Sequence, residues 1–226
     1  MALPRSLVLA ALLCAWRAPA STGIDLTTDF VSEYVFRGAN MHQGTSVQSS
    51  LNYNLLDTLT ASLWTNLSLE GGFALAETDY SLKWTWLHRT RAAFTVGAVH
   101  YDRSRAALGP ETSELFAGVD LNVPGKPSLY AWYDWNNHPG TYYQLGLRHR
   151  FMLPDYRGTF DISGDVGFDS GRLNGWQDAR VSLAVTRLVG DWRLSPALDL
   201  HLPARQTDPN AHHFRPVFRV SAARSF

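Results

Sequence analysis

The chain has 226 residues, a size that suits one domain, and its 20 basic residues balance 20 acidic ones. That balance argues against a general nucleic-acid binder, which shows a basic stripe or patch. The single cysteine, Cys14, excludes a disulfide framework, and no apolar run after residue 20 approaches the ~20 residues of a membrane-spanning helix.

Residues 1–20 have the order of a secretory signal peptide. Arg5 supplies a positive start, Leu7 to Ala15 an apolar core, and Ala18-Pro19-Ala20 a small-residue cleavage pattern. Cleavage there would remove Arg5, Arg17 and Cys14, leaving a mature chain with a net charge of about −2 and no thiol.

The rest of the chain alternates with period two, the signature of β-strands, whose successive side chains point to opposite faces. From Ile24, the residues Leu26, Phe30, Tyr34 and Phe36 fall on one face and Asp25, Asp29, Glu33 and Arg37 on the other. Further on, Val47, Leu51, Tyr53 and Leu55 alternate with polar neighbours. So do Leu59, Leu63 and Leu67, then Tyr80, Leu82, Trp84 and Trp86, and later Leu145 and Leu147, and Phe160, Ile162 and Phe168. Twelve such segments are expected, at 24–37, 46–56, 58–69, 78–87, 92–101, 112–121, 128–136, 141–152, 159–168, 177–188, 191–201 and 214–226. The segments at 92–101 and 128–136 alternate least cleanly, which keeps ten strands open as an alternative.

Connection lengths sort into two sets. Leu56 to Thr58, His88 to Arg91, Asn122 to Pro127, Leu153 to Gly158 and Val189 to Asp191 are short. Gly38 to Thr45, Glu70 to Glu77, Asp102 to Glu111, Asp169 to Trp176 and Leu202 to His213 are mostly longer, while Asn137 to Gly140 is short. Short periplasmic turns opposite longer external loops are the habit of outer-membrane barrels, and an even strand count puts both termini at the turn end. An open sheet would leave backbone groups unpaired in lipid, so a membrane reading requires a closed barrel. The expected fold is therefore all-β: a transmembrane antiparallel up-and-down β-barrel of about twelve strands over residues 21–226.

A soluble sandwich or barrel offers the same alternation with the faces exchanged. Aromatics near predicted strand ends, Tyr34, Trp86, Tyr101, Trp135, Tyr142, Trp176 and Trp192, favour the membrane, because their rings suit the lipid–water boundary. The last segment carries Phe214, Phe218, Val220, Ala222 and the terminal Phe226 on one face. That ending is similar to the signal that outer-membrane barrels present to their assembly machinery, although Arg224 stands where an apolar residue is usual.

The run Asp29-Phe30-Val31-Ser32-Glu33-Tyr34-Val35-Phe36-Arg37-Gly38 resembles the opening motif of the TorF-type porin family, Gcw_chp. Gln48-Ser49-Ser50-Leu51-Asn52-Tyr53 resembles the family's next strand, with serines in place of its glycines, and Leu63-Trp64-Thr65-Asn66-Leu67 is similar to a third. The resemblance covers about residues 24–69. It implies a barrel in the outer membrane of a Gram-negative bacterium, acting as a small porin or passive channel for small solutes or ions, with outer-membrane lipids around it. It carries no catalytic residues and implies no cofactor.

If the polar face lines the lumen, its candidate charged residues include Asp25, Asp29, Glu33, Arg37, Lys83, Glu114, Arg148, Arg150, Asp161, Asp165, Arg193 and Arg219. Rings of charge set ion selectivity in a pore, but opposite charges can also pair across a narrow lumen and close it. Their balance predicts weak selectivity at most. Glu33 and Arg37, four apart on one face, are one possible pair. His42, His100, His138, His201, His212 and His213 gather near the expected outer end, but a metal site needs ligands converging in a fixed geometry, and none is assigned. A lipid-modifying enzyme is a rival class. Its best pair, His149 and Ser163, falls on opposite faces, and there is no Gly-x-Ser-x-Gly elbow. A non-conducting structural or adhesive barrel is a third class, with modest outer loops.

Overall fold

The structure, a computed structural model, describes residues 23–70, 72–88, 91–103, 110–137, 139–154, 158–171, 174–204 and 214–226. The expected signal peptide, with Cys14, lies outside these residues, as do His138, His212 and His213. In chain order the strands are β1 (Ile24–Val31), β2 (Tyr34–Phe36), β3 (Ala39–His42), β4 (Ser46–Asn54), β5 (Leu59–Ser68), β6 (Ala74–His88) and β7 (Ala92–Arg103). They continue as β8 (Thr112–Leu121), β9 (Ser128–Asp134), β10 (Gly140–Met152), β11 (Gly158–Asp169), β12 (Gly175–Val189), β13 (Trp192–Pro203) and β14 (Arg215–Ser225).

Twelve of these form one closed antiparallel barrel, each strand paired with its neighbours in sequence, and β2 and β3 make a separate two-stranded hairpin. Closure comes from β1, which pairs with β4 on one side and β14 on the other, from Asp25 opposite Ser225 to Val31 opposite Arg219. At the seam Phe226 N donates to Ile24 O at 2.8 Å. Closing the sheet pairs every barrel strand on both sides, so no strand is left as an edge.

The outside of the barrel is apolar. Leu82, Trp84 and Trp86 on β6 are 46%, 51% and 37% exposed, and Leu147 and Phe218 are 58% and 63% exposed. The largest fully buried side chains are polar instead, Glu77, Asn66, Ser46 and Ser68, with Glu114, Asp178 and Asp199 also buried. A water-soluble barrel hides its apolar face; this one displays it around the wall and keeps carboxylates, amides and hydroxyls inside, as a lipid-embedded barrel does. Aromatics sit on both faces of β9 because Tyr130 and Trp132 turn inward, stacked at 5.5 Å, while Leu129 and Tyr133 turn outward, 50% and 46% exposed. The inward rings lie against glycines. A side chain at Gly118 would put its Cβ 2.2 Å from the Tyr130 ring, and one at Gly97 would meet Phe116 at 2.4 Å.

Three expectations are corrected. The segment 24–37 is not one strand: β1 stops at Val31, and the chain turns inward to form the β2–β3 hairpin where a loop was expected from Gly38. Two positive φ angles at the turn, 47° at Arg37 and 75° at Gly38, match the two-residue turn that suits tight hairpins. The expected loop Glu70 to Glu77 is shorter, since β6 begins at Ala74. Finally, Tyr34, Tyr101 and Tyr142 are not boundary aromatics but interior residues, 6%, 6% and 5% exposed: Tyr101 and Tyr142 hold inward places in the alternation of their strands, and Tyr34 is carried inside by the hairpin. Trp86, Trp135 and Trp176, 37%, 41% and 39% exposed, do lie on the outer surface.

Candidate functional site

The hairpin is the feature that makes the interior more than a plain tube. Its root is tied to β14. Ser32 N donates to Phe218 O at 2.9 Å, and Phe218 N donates to Ser32 Oγ at 3.0 Å. Asn40 Nδ2 donates to Glu33 Oε2 at 3.1 Å, and Arg215 Nε lies 3.7 Å from the same oxygen. Tyr34 packs against Trp64 on β5, ring centroids 5.5 Å apart. His42 Nε2 and Ser68 Oγ are 2.8 Å apart.

The tip reaches the far wall. In the strand order β9 stands opposite β1, and the hairpin that leaves β1 ends against β8, β9 and β10. There Arg37 grips Glu114 with both guanidinium ends, Nη1 to Oε1 at 2.6 Å and Nη2 to Oε2 at 2.7 Å. Tyr101 Oη also donates to Glu114 Oε2, at 2.9 Å. The Arg37 guanidinium lies over three rings, 4.3 Å from the centre of Tyr142, 4.8 Å from Phe36 and 5.3 Å from Trp132. Gln177 Nε2 donates to Arg37 O at 3.0 Å, from β12. At Gly38 the backbone comes so close to β12 and β13 that a Cβ would sit 2.7 Å from Asp178 Cβ and 3.3 Å from Pro203.

Burial works against the Arg37 charge, but the hydrogen bonds to Glu114 together with the nearby Tyr101, Glu114 and Tyr142 groups outweigh it and lift the guanidinium above its usual value, so the tip stays cationic. Burial raises the Tyr34 phenol well above its ordinary range, and the nearby charges of Glu77 and Asp79 raise it further. A second arginine supports the hairpin's flank: Arg103 Nε donates to Glu77 Oε1 at 2.8 Å, and its guanidinium lies 5.8 Å from the Phe36 ring centre.

Beside the tip is a cavity of about 230 Å³ between Val35, Phe36 and Arg37 on the hairpin and Trp132, Tyr142, Gln144, Asp165, Asp178, Arg180 and His201 on the wall. Its charges are knitted together. Arg180 holds Asp165 Oδ2 through Nε at 3.0 Å and Nη2 at 2.8 Å, Gln144 Nε2 donates to Asp165 Oδ1 at 2.8 Å, and Tyr142 Oη donates to Asp178 Oδ1 at 3.0 Å. A wider cavity, about 350 Å³, opens at the turn end among Arg150, Thr159, Thr186, Arg193 and Ser195.

Of the residues singled out from the sequence, the structure brings together Arg37 with Glu114 and Arg150 with Asp161, the latter at 2.6 Å. Asp165 joins Arg180, and Arg219 joins Asp199 at 3.0 Å. Glu33 and Arg37 do not pair with each other; the tight turn carries Arg37 to the opposite wall while Glu33 stays at the root with Arg215. Asp25 lies at the seam, where Asn54 Nδ2 donates to it at 3.3 Å, and Asp29 is opposite Gln48 and Ser221. Lys83 lies across from Thr60 and Gly97, Arg148 across from Ser163, and Arg193 across from Leu188 and Ala223. His149 stands opposite Ile162, whereas Ser163 is opposite Arg148, so the His149 and Ser163 side chains leave opposite faces of the wall. Among the described residues no cluster of three or more His, Cys, Asp or Glu could hold a metal ion. Glu77, Arg103, Asp178 and Arg180 were not singled out, nor were the ring faces of Trp132 and Tyr142 as parts of a site. Arg180 was legible from its parity in its segment, whereas Glu77 lay in what reads as a loop.

Twelve antiparallel strands closed on themselves, apolar outside and polar within, define a β-barrel of the outer-membrane class. No protein-family model matches the chain, and no curated protein matches it. Among solved structures it is similar to a NanC porin, with 9% identity and a TM-score of 0.61 over 89% of this chain and 98% of that one. It is also similar to a KdgM porin, with 9% identity and a TM-score of 0.58 over 90% of this chain and 99% of that one. At such identity the likeness establishes the fold.

Proposed function

We propose that this chain is a small outer-membrane channel for small solutes or ions, narrowed near its outer end by the β2–β3 hairpin. The observation that carries the reading is the polar interior with a cationic tip, Arg37, held across it by Glu114. A polar, charged interior is what a water-filled path for small solutes or ions requires. The similarity to two porin structures and the resemblance of residues 29–38 to the TorF-type opening motif support the same reading. On this reading the chain is exported by its first 20 residues, sits among outer-membrane lipids, and meets the assembly machinery through the strand ending in Phe226. Asp25, Asp29, Lys83, Arg148, Arg150, Asp161, Asp165, Arg193 and Arg219 then border the path above and below the constriction formed by Glu33, Arg37 and Glu114.

The knitted ion pairs favour a second reading, a barrel whose hairpin seals it and whose role is structural or adhesive. Planar-bilayer recording of the refolded mature protein separates the two, with a heat-modifiability gel to certify folding. Stepwise conductance of weak ion selectivity is expected. A folded, silent barrel would overturn the channel reading and favour the sealed one.

A further inference from the structure

Among the described residues, the buried side-chain oxygens that lack a hydrogen-bond partner belong to Asp29, Asn40, Ser46, Asn66, Glu77 and Asp79, all on β1, β3, β4, β5 and β6. They surround the hairpin root, not its tip. Unmet buried polar atoms are costly and call for an explanation, an ion or ordered water among them. The densest part is on β5 and β6. Asn66 and Glu77 are fully buried and directly opposite each other, and Asp79, two residues on along the same inward face, is the diagonal neighbour of Asn66. Ser46 on β4, also fully buried, lies opposite Ser68 and is the diagonal neighbour of Asn66 on its other side. The opposite and diagonal inward positions Glu77 and Asp79 are ~5 and ~7–8 Å from Asn66, within reach of one shared ligand, whereas Ser46 lies level with Ser68, well along β5 from Trp64, the partner of Asp79, and does not share it. A register shift between Asn66 and Leu67 falls at the same place, a device that re-aims side chains.

The chemistry of the group is uniform. Glu77 Oε2, Asp79 Oδ1 and Asn66 Oδ1 are hard oxygen donors, and both amide atoms of Asn66 are unpartnered. Among the described residues the two carboxylates face one nearby guanidinium, Arg103, which donates to Glu77 Oε1 at 2.8 Å. Buried charge needs a counter-charge. We propose that Asn66, Glu77 and Asp79 bind one hard divalent cation that fastens the root of the hairpin to the wall. Calcium fits better than magnesium: it accepts irregular shells of protein and water oxygens, whereas magnesium demands a near-ideal octahedron.

Terbium luminescence of the full-length mature barrel, refolded in detergent, tests this, because Tyr34 and Trp64 pack together beside the site and can sensitise a bound lanthanide. One saturable emission site is expected, displaced by calcium and not by magnesium at the same concentration. Asp79→Asn and Asn66→Leu should each weaken terbium binding at least about tenfold, the scale seen even for outer-shell changes at metal sites, while Asp57→Asn at a distant turn should not. Glu77→Gln should abolish binding; if it fails to fold on a heat-modifiability gel, Asp79→Asn and Asn66→Leu carry the test. Folded wild-type barrel without saturable emission would assign the space to water and overturn the proposal. So would emission unchanged by Asp79→Asn and Asn66→Leu, and equal displacement by magnesium would overturn the calcium preference.

Discussion

Arg37 meets three kinds of partner at once: a carboxylate that both guanidinium ends grip, aromatic rings against the guanidinium, and an amide donor on its carbonyl. The bidentate bond to Glu114 sets its direction, and the rings of Tyr142, Phe36 and Trp132 replace part of the water lost on burial. Removing one partner of such a pair strands the other, at a cost of about 3–5 kcal/mol when the site is buried. Glu114→Gln is therefore expected to loosen the tip while the barrel stays folded. Limited trypsin digestion should then cleave after Arg37, and single-channel conductance should rise; an unchanged digest and conductance would remove the pair from any gating role. Small residues on the inner wall matter in the same local way. Gly118 leaves room for the Tyr130 ring, so Gly118→Val should destabilise the barrel by about 1–3 kcal/mol in urea unfolding, and Tyr130→Ala should largely relieve that loss.

At the scale of elements, the hairpin and the barrel are separable. β1 already has both barrel partners, β4 and β14, so the wall closes without β2 and β3. Replacing residues 33–44 by a short polar turn should leave a heat-modifiable barrel with larger conductance steps. A variant that no longer folds would mean that the hairpin is part of the wall's stability. The twelve barrel strands were legible from period-two alternation. β7, β8 and β10 begin and end within about two residues of the expected bounds, because burial of alternate faces is a local property of the chain. The hairpin was not legible. Tyr34 to Phe36 continues the apolar alternation of Ile24 to Phe30, and nothing local says that those rings turn in toward Trp64 and Tyr101 instead of out to lipid. Arg37-Gly38 was the one available signal, since a glycine beside a residue that tolerates positive φ can make a tight hairpin turn.

For the whole molecule, the test of orientation is the cost of a charge on each face. Leu82 and Ser81 are neighbours on β6, one on the exposed apolar side and the other on the inward side. Leu82→Arg should cost about 2–4 kcal/mol if it lies near the bilayer midplane, measured as the urea midpoint of folding into lipid vesicles, and Ser81→Arg should cost much less. Equal penalties would contradict a lipid-facing Leu82.

The sequence by itself pointed to about twelve strands, with ten left open, and determined the placement of most strands and the division of each into an apolar and a polar face. All of these follow from side-chain spacing along a few residues of extended chain. Only the tertiary structure decided which charges meet. Arg37 and Glu114 are 77 residues apart, and Gln177 reaches Arg37 from 140 residues away. Closure of the sheet sets how far apart β1 and β9 stand, and the inward turn after Val31 sets what crosses that gap. Contacts of that kind depend on the curvature of the completed barrel, a property that no window of sequence contains.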